Sequence, residues 1–147
     1  MLASAASLRK LQPLSPFVER GVAEGMSFGL SIAGYDIRVA ESLSIPEGGF
    51  RLASSFEEFH MPKNLLGIVH DKSTWARMGL AVQNTVIEPG WKGYLTLELT
   101  NHGYQHIEIL AGTPIAQILF HYIDEETEGY DGKYQNQERG AQEARFE

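Results

Sequence analysis

Residues Tyr94-Leu95-Thr96-Leu97-Glu98-Leu99-Thr100 alternate strictly between apolar and polar side chains. In a strand this sends Leu95, Leu97 and Leu99 to one face and Tyr94, Thr96, Glu98 and Thr100 to the other. The leucine face is a core face. The other face has two readings. Bathed in water, Glu98 is an ordinary solvated carboxylate. Facing a subunit interface or a pocket, it is partly desolvated, its pKa rises toward neutrality, and it can take up and release a proton. Glutamate is a poor strand former, but periodicity alone does not choose between the two.

A second chemical cluster is Asp71-Lys72-Ser73-Thr74-Trp75-Ala76-Arg77-Met78-Gly79-Leu80. Two hydroxyls and two cations fall within Lys72–Arg77. One helical turn would gather Ser73, Thr74 and Arg77 with free backbone N–H groups, a cradle for phosphate oxygens. The competing reading is a helix cap followed by a surface Arg, with Trp75 and Leu80 packing inward. The spacing is not that of a Walker loop, which needs its glycines. Cysteine is absent, so thiolate zinc sites, iron–sulfur clusters, disulfides and a Cys nucleophile are excluded. The five histidines are scattered, and His102 and His106 stand four apart in turn-like sequence, a poor metal pair. No metal-ligating set is assigned.

These groups must be held by β-structure. From Ser27 onward, short apolar segments alternate with Gly, Pro and Asn punctuation, the pattern of an all-β domain. Strands are predicted over Ser31–Val39, Phe50–Ala53, Glu57–Met61, Leu65–Val69, Leu80–Gln83, Tyr94–Thr100, Ile107–Leu110 and Ile115–Tyr122. Turns fall at Pro46–Gly49, Met61–Asn64, Glu88–Gly90, Asn101–Gly103 and Ala111–Pro114. So many short strands fit a sandwich, a jelly roll or a compact barrel. A short helix is expected over Phe17–Ala23, and the Ala/Ser-rich Met1–Ser7 reads as a loose end. Residues 1–123 form the barrel domain. Residues 124–147 are polar and charged, unable alone to offset their ordering entropy. They are read either as a frayed tail or as a mobile lid over a ligand.

The 147 residues suit one domain with a real core. Hydrophobic residues make up 43% and charged residues 21%, an ordinary globular balance. No apolar run approaches the roughly 18 residues that span a membrane, and no signal-peptide pattern opens the chain. A net charge of −7 argues against binding a nucleic-acid backbone, though a local cationic pocket can still hold a small anion.

The motifs together resemble the dCTP deaminase family of the dUTPase-like superfamily. The resemblance rests on Phe50-Arg51-Leu52-Ala53-Ser54, Met61-Pro62-Lys63-Asn64-Leu65, Lys72 through Leu80, and Ile87-Glu88-Pro89-Gly90-Trp91. It continues through Leu95 to Asn101, Gly112-Thr113-Pro114-Ile115-Ala116-Gln117 and Tyr130-Asp131-Gly132-Lys133-Tyr134-Gln135-Asn136-Gln137. Gly34-Tyr35-Asp36-Ile37-Arg38 is similar to the superfamily's first motif. The resemblance implies a distorted jelly-roll β-barrel and a homotrimer with active sites at subunit interfaces, closed by C-terminal tails. The implied reaction is zinc-independent deamination of dCTP to dUTP and ammonia, with Mg2+ bound through the triphosphate. Zinc nucleobase deaminases need Cys ligands, which this chain lacks. The implied setting is the cytoplasm of a bacterium or phage-infected cell.

The resemblance also implies roles. Glu98 matches the catalytic carboxylate, and Ser73 and Arg77 lie near it and the attacking water. Lys72, Ser73, Thr74, Trp75, Ala76 and Arg77 match the phosphate-binding turn. Glu88 stands beside the sugar, where the family usually has Asp. Thr96 and Leu97 flank the base, and Gln117 lies near the phosphates. Tyr130, Lys133 and Gln137 match tail residues that close over the nucleotide. Only Val86 separates Thr85 from Ile87, where the family carries a longer segment. The alternatives are a dUTP diphosphatase, a bifunctional enzyme releasing dUMP, a shifted cytosine nucleotide substrate, and a non-catalytic nucleotide-binding trimer.

Overall fold

In the computed structural model, which describes Met1–Phe146, eleven strands and two short helices follow the chain. They are α1 (Ala5–Leu11), β1 (Leu14–Ser15), β2 (Gly21–Ala23), β3 (Met26–Leu30), β4 (Tyr35–Arg38), β5 (Leu43–Ile45), β6 (Phe50–His60), β7 (Leu65–Asp71), α2 (Ser73–Ala76), β8 (Leu80–Val82), β9 (Lys92–Asn101), β10 (Ile107–Ile109) and β11 (Pro114–Tyr122). A four-stranded sheet has the order β1-β6-β9-β8, and a five-stranded sheet β2-β3-β4-β11-β7; β5 and β10 form a separate pair. The sheets curl around one core to which β9 gives Leu97 and Leu99, β6 Phe59, β4 Tyr35 and Ile37, and β11 Ile118 and Phe120, all fully buried. The all-β expectation holds. Glu147, the last residue of the predicted tail, lies outside the described residues.

The N-terminal third differs from the sequence expectation. The helix is not at Phe17–Ala23 but at Ala5–Leu11, capped by the Ser4 hydroxyl accepting from the Ser7 amide. Gly21–Ala23 instead pairs with Met26–Phe28. Glu24 and Gly25 both take positive φ, 50° and 73°, the geometry of a tight hairpin turn. Nor is Met1–Ser7 a loose end. The Ala3 amide donates to Phe120 O at 2.8 Å, and its side chain is buried.

The predicted strands Phe50–Ala53 and Glu57–Met61 are one strand, β6, broken by a bulge between Ser54 and Glu58. The bulge turns Glu57 inward. Its carboxylate, 0% exposed, accepts from the Arg38 amide at 3.0 Å and from Arg38 Nε at 2.9 Å. The Arg38 guanidinium lies between the rings of Phe28 and Phe56, 4.2 Å from each centroid. A buried acid is tolerable only with such a partner. The predicted Ser31–Val39 strand is shortened: residues 31–34 form a turn between β3 and β4, and the strand itself is Tyr35–Arg38.

Candidate active site

β8 pairs with β9 over Leu80–Val82, opposite Asn101–Leu99, and the Gln83 amide then donates to Glu98 O at 2.9 Å. Beyond Gln83 the chain leaves the sheet. Ile87 pairs instead with Gly67 of β7, each amide donating to the other's carbonyl at 2.7 and 2.9 Å. A Cβ on Gly67 would stand 3.0 Å from Ile87 Cβ, so the small residue permits this approach. The departure splays the hairpin and opens a cavity of about 550 Å³.

The cavity walls come from four places. β9 supplies Leu95, Thr96 and Glu98, and β6 supplies Phe50 and Leu52. The segment after β8 supplies residues 84–88 and Trp91, and the tail covers the remainder with Tyr130, Tyr134, Gln137 and residues 142–144. The aliphatic and aromatic walls make it a place where a carboxylate is poorly solvated. Glu98 stands in it with Oε2 buried and without a hydrogen-bond partner. Burial pushes the Glu98 carboxyl above its ordinary value, opposed by its own backbone amide. An unpartnered buried polar atom aimed into a cavity is the mark of a group that meets a ligand or carries a proton.

Asn84 closes the end of the slot. Its Oδ1 accepts from the Glu98 amide at 3.0 Å, and its Nδ2 donates to Thr96 O at 2.7 Å. One carboxamide replaces the two ladder bonds that β8 would have made had it continued. The sequence reading missed this residue. Its signal was faint: a polar side chain directly after an apolar strand.

The tail is folded onto the same barrel. Gln137, 7% exposed, donates from Nε2 to Tyr94 O at 2.8 Å and to the Thr96 hydroxyl at 2.9 Å. It also forms a parallel bridge with Gly93. Gly93 has φ 141°, and a Cβ there would stand 2.6 Å from Gln137 N, so only glycine lets the tail approach. Trp91 Nε1 donates to Tyr134 O at 2.7 Å, and the Tyr134 amide donates to the Tyr130 hydroxyl. Arg139 packs over Tyr94, 4.4 Å from the ring centroid. Thr96 also accepts from the Gln142 amide at 3.2 Å.

The cationic turn is anchored from beneath. Asp71 Oδ1 accepts from the Val82 amide at 2.7 Å. Lys72 Nζ donates to Asp36 Oδ2 at 3.2 Å, with side chains 11% and 12% exposed. Trp75 is buried and donates from Nε1 to Pro114 O at 2.8 Å. Ser73, Thr74, Ala76 and Arg77 are left exposed. The two readings of this turn therefore describe different residues: Trp75 and Leu80 pack inward, while the hydroxyls and the guanidinium are presented outward.

Within one chain the candidate residues fall into separate places. Glu98, Glu88, Thr96, Tyr130 and Gln137 line the cavity; Lys72–Arg77 and Gln117 do not. The turn lies past the Leu80–Asn101 pair, three ladder positions and about 10 Å beyond Glu98 along β9. Gln117 sits on β11 between Asp36 and His70. Leu97 is fully buried on the core face, and Lys133 is exposed with Nζ 5.5 Å from the Tyr134 ring centroid. Among the described residues no group of three or more His, Asp or Glu side chains is arranged to hold a metal ion. His106 is engaged with Ser44 and Glu108. No helix among those residues is long and apolar enough to cross a membrane.

The dCTP deaminase-like family model matches residues 31–123. The dCTP deaminase of Acidobacterium capsulatum is 36% identical over 159 residues, covering 85% of this chain and 87% of that protein. That of Campylobacter curvus is 36% identical over 175 residues, covering 93% and 94%. Among solved structures, the 2'-deoxycytidine 5'-triphosphate deaminase of Agrobacterium tumefaciens superposes with a TM-score of 0.66 at 15% identity, covering 82% of this chain and 48% of that one. The native EIAV dUTPase does so with a TM-score of 0.60 at 22% identity, covering 82% and 98%. At those identities the two structures speak for the fold. With a family model over more than half of its length and relatives at 36% identity across most of it, the chain belongs to the dCTP deaminase-like family.

Proposed function

We propose that this chain deaminates dCTP to dUTP and ammonia, with Glu98 as the proton carrier. The observation that carries the reading is the buried, unpartnered Glu98 oxygen in the splayed hairpin. Water attacks C4 of cytosine and loses a proton to Glu98 as the new C–O bond forms. The C4–N3 π electrons move to N3, which takes that proton. The hydroxyl of the tetrahedral intermediate then gives up its proton, the exocyclic nitrogen is protonated through the same carboxyl, and the C–N bond breaks to release ammonia. A carboxyl held above its ordinary pKa by burial suits both directions of transfer. The absence of cysteine supports a route without the usual zinc ligands.

The cavity receives the base and sugar, with Glu88 beside the sugar and Thr96 and the tail over it. The exposed Ser73, Thr74 and Arg77 suit phosphate oxygens. Because they stand apart from Glu98 in one chain, the working enzyme is read as a homotrimer in which a second copy brings its turn to this cavity. Magnesium would arrive on the triphosphate and neutralise part of its charge. The turn's donors are hydroxyls, amides and a cation, and they fit the phosphates rather than the metal.

The test is incubation with dCTP and magnesium, following ammonia, dUTP and pyrophosphate separately. Ammonia with dUTP is expected. Pyrophosphate from dUTP with no ammonia from dCTP refutes the reading, and both products together would identify the bifunctional form. The shared site has its own test. At dCTP well below the KM of Arg77→Ala, Glu98→Gln and Arg77→Ala should each turn over far more slowly than the parent, and co-refolding them should restore one intact site to each mixed trimer. No recovery would place both residues in one chain's site.

A further inference from the structure

We propose that Asn84 is a positioning residue for the acid–base carboxyl: its carboxamide holds the β9 backbone on both sides of Glu98 and keeps water out of the slot behind it. The inference deepens the proposed role of Glu98 and rests on that reading. The geometry is specific. β8 abandons β9 after Gln83, which leaves the Glu98 amide and the Thr96 carbonyl as the next ladder groups in need of partners. Left open, both would draw water to the root of the Glu98 side chain. Asn84 satisfies them with one acceptor and one donor, at 3.0 and 2.7 Å, and no other residue type of that length offers the same pair.

The consequence is electrostatic as well as steric. The Glu98 amide donates to Asn84 Oδ1, so the help it lends its own carboxylate is shared and only partly offsets burial. Few titratable groups share the cavity with it. The segment after β8 brings Glu88, and the tail brings Glu143, Tyr130 and Tyr134, whose hydroxyls accept from the Tyr134 and Arg145 amides, while β6 brings only Phe50 and Leu52. No Lys or Arg among the described residues lines the cavity. Apart from its own backbone amide, nothing there favours ionisation, provided the slot stays closed.

Two substitutions separate this role from a merely structural one. Asn84→Ala removes both bonds and admits water, so the Glu98 carboxyl should titrate at lower pH than in the parent. Asn84→Asp is isosteric, keeps the acceptor and adds a negative charge, so it should move the titration to higher pH. The readout is the carboxyl carbon signal of Glu98, in protein labelled at Glu and assigned with Glu98→Gln, recorded without nucleotide. In turnover, Asn84→Ala should lower kcat for dCTP about 10- to 100-fold, the scale of a misplaced catalytic group, with KM changed far less. If both variants titrate like the parent, or shift in the same direction, the proposal is overturned, whatever happens to Tm. Should Asn84→Ala fail to fold, the shape-conserving Asp variant decides alone: a shift to higher pH supports the role, and none or a fall refutes it. The titration needs no substrate, so a parent protein inactive on dCTP would sink the proposed reaction without touching this result.

Discussion

Replacing Glu98 by Gln tests activity and stability together, and the two should move in opposite directions. The carboxamide is nearly isosteric, so the cavity and nucleotide binding persist. Turnover should fall by about 10²- to 10⁴-fold, the usual weight of a positioned acid–base group. Stability should rise, but only above the carboxylate range. The folded state raises the Glu98 pKa above its ordinary value of 4.5 through burial, so between the unfolded and folded values the folded chain binds more protons than the unfolded one. Parent stability therefore falls as pH climbs through that interval and stays lowered above it. Gln carries no such penalty. The variant should therefore melt above the parent at pH 8, by an amount that solvent screening of the partly exposed carboxyl keeps small, and at the parent's temperature near pH 4. Thermal denaturation at the two pH values, beside an ammonia-release assay, reads both effects. A variant that keeps its turnover, or is less stable than the parent at pH 8, would show that Glu98 is not an ionised, desolvated proton carrier.

Arg77→Ala should leave monomer stability within about 0.5 kcal/mol, because the side chain is exposed, while raising KM for dCTP at least tenfold; a loss of stability without a KM effect would make Arg77 structural. Lys72→Met should cost about 2–4 kcal/mol by leaving Asp36 buried and unpaired. Burial raises the Asp36 pKa and Lys72 lowers it, so without Lys72 the loss should be larger at pH 8 than at pH 4. Adding Asp36→Asn should recover much of it, as read by urea denaturation. Truncation after Ile123 removes the partners of Trp91, Thr96 and Tyr94. It should shift Trp fluorescence to the red and raise KM while the barrel and the assembly persist; loss of the folded barrel would make the tail part of the core rather than a cover.

Much of the β-architecture and the chemistry of the candidate residues was legible in the sequence because it is local. Strict alternation over Tyr94–Thr100 marks the β9 core face at a period of two residues: Leu97 and Leu99 are fully buried, while Leu95, expected with them, is only partly buried and also reaches the cavity wall. The hydroxyls and cations of Lys72–Arg77 are neighbours in sequence, so their shared presentation needed no knowledge of the rest of the chain. What failed was non-local. The Glu57 bulge exists because Arg38, nineteen residues away, offers a partner for a buried acid, and an alternation rule sees only an interrupted strand. The helix position turned on the Ser4 cap and on the Glu24–Gly25 hairpin turn outweighing the helical look of Phe17–Ala23.

The site followed the same division. Residue types alone nominated Glu98 as a proton carrier, but whether its face is wet or sheltered depends on where β8 parts from β9. That parting is set by Ile87 pairing with Gly67 in the opposite sheet, by Asn84 closing the slot behind it, and by Gln137 docking against Gly93. Each contact joins residues far apart in the chain or in different sheets. Burial, and with it the proton affinity of the carboxyl, is a property of the packed surroundings, and only the tertiary structure brings those together.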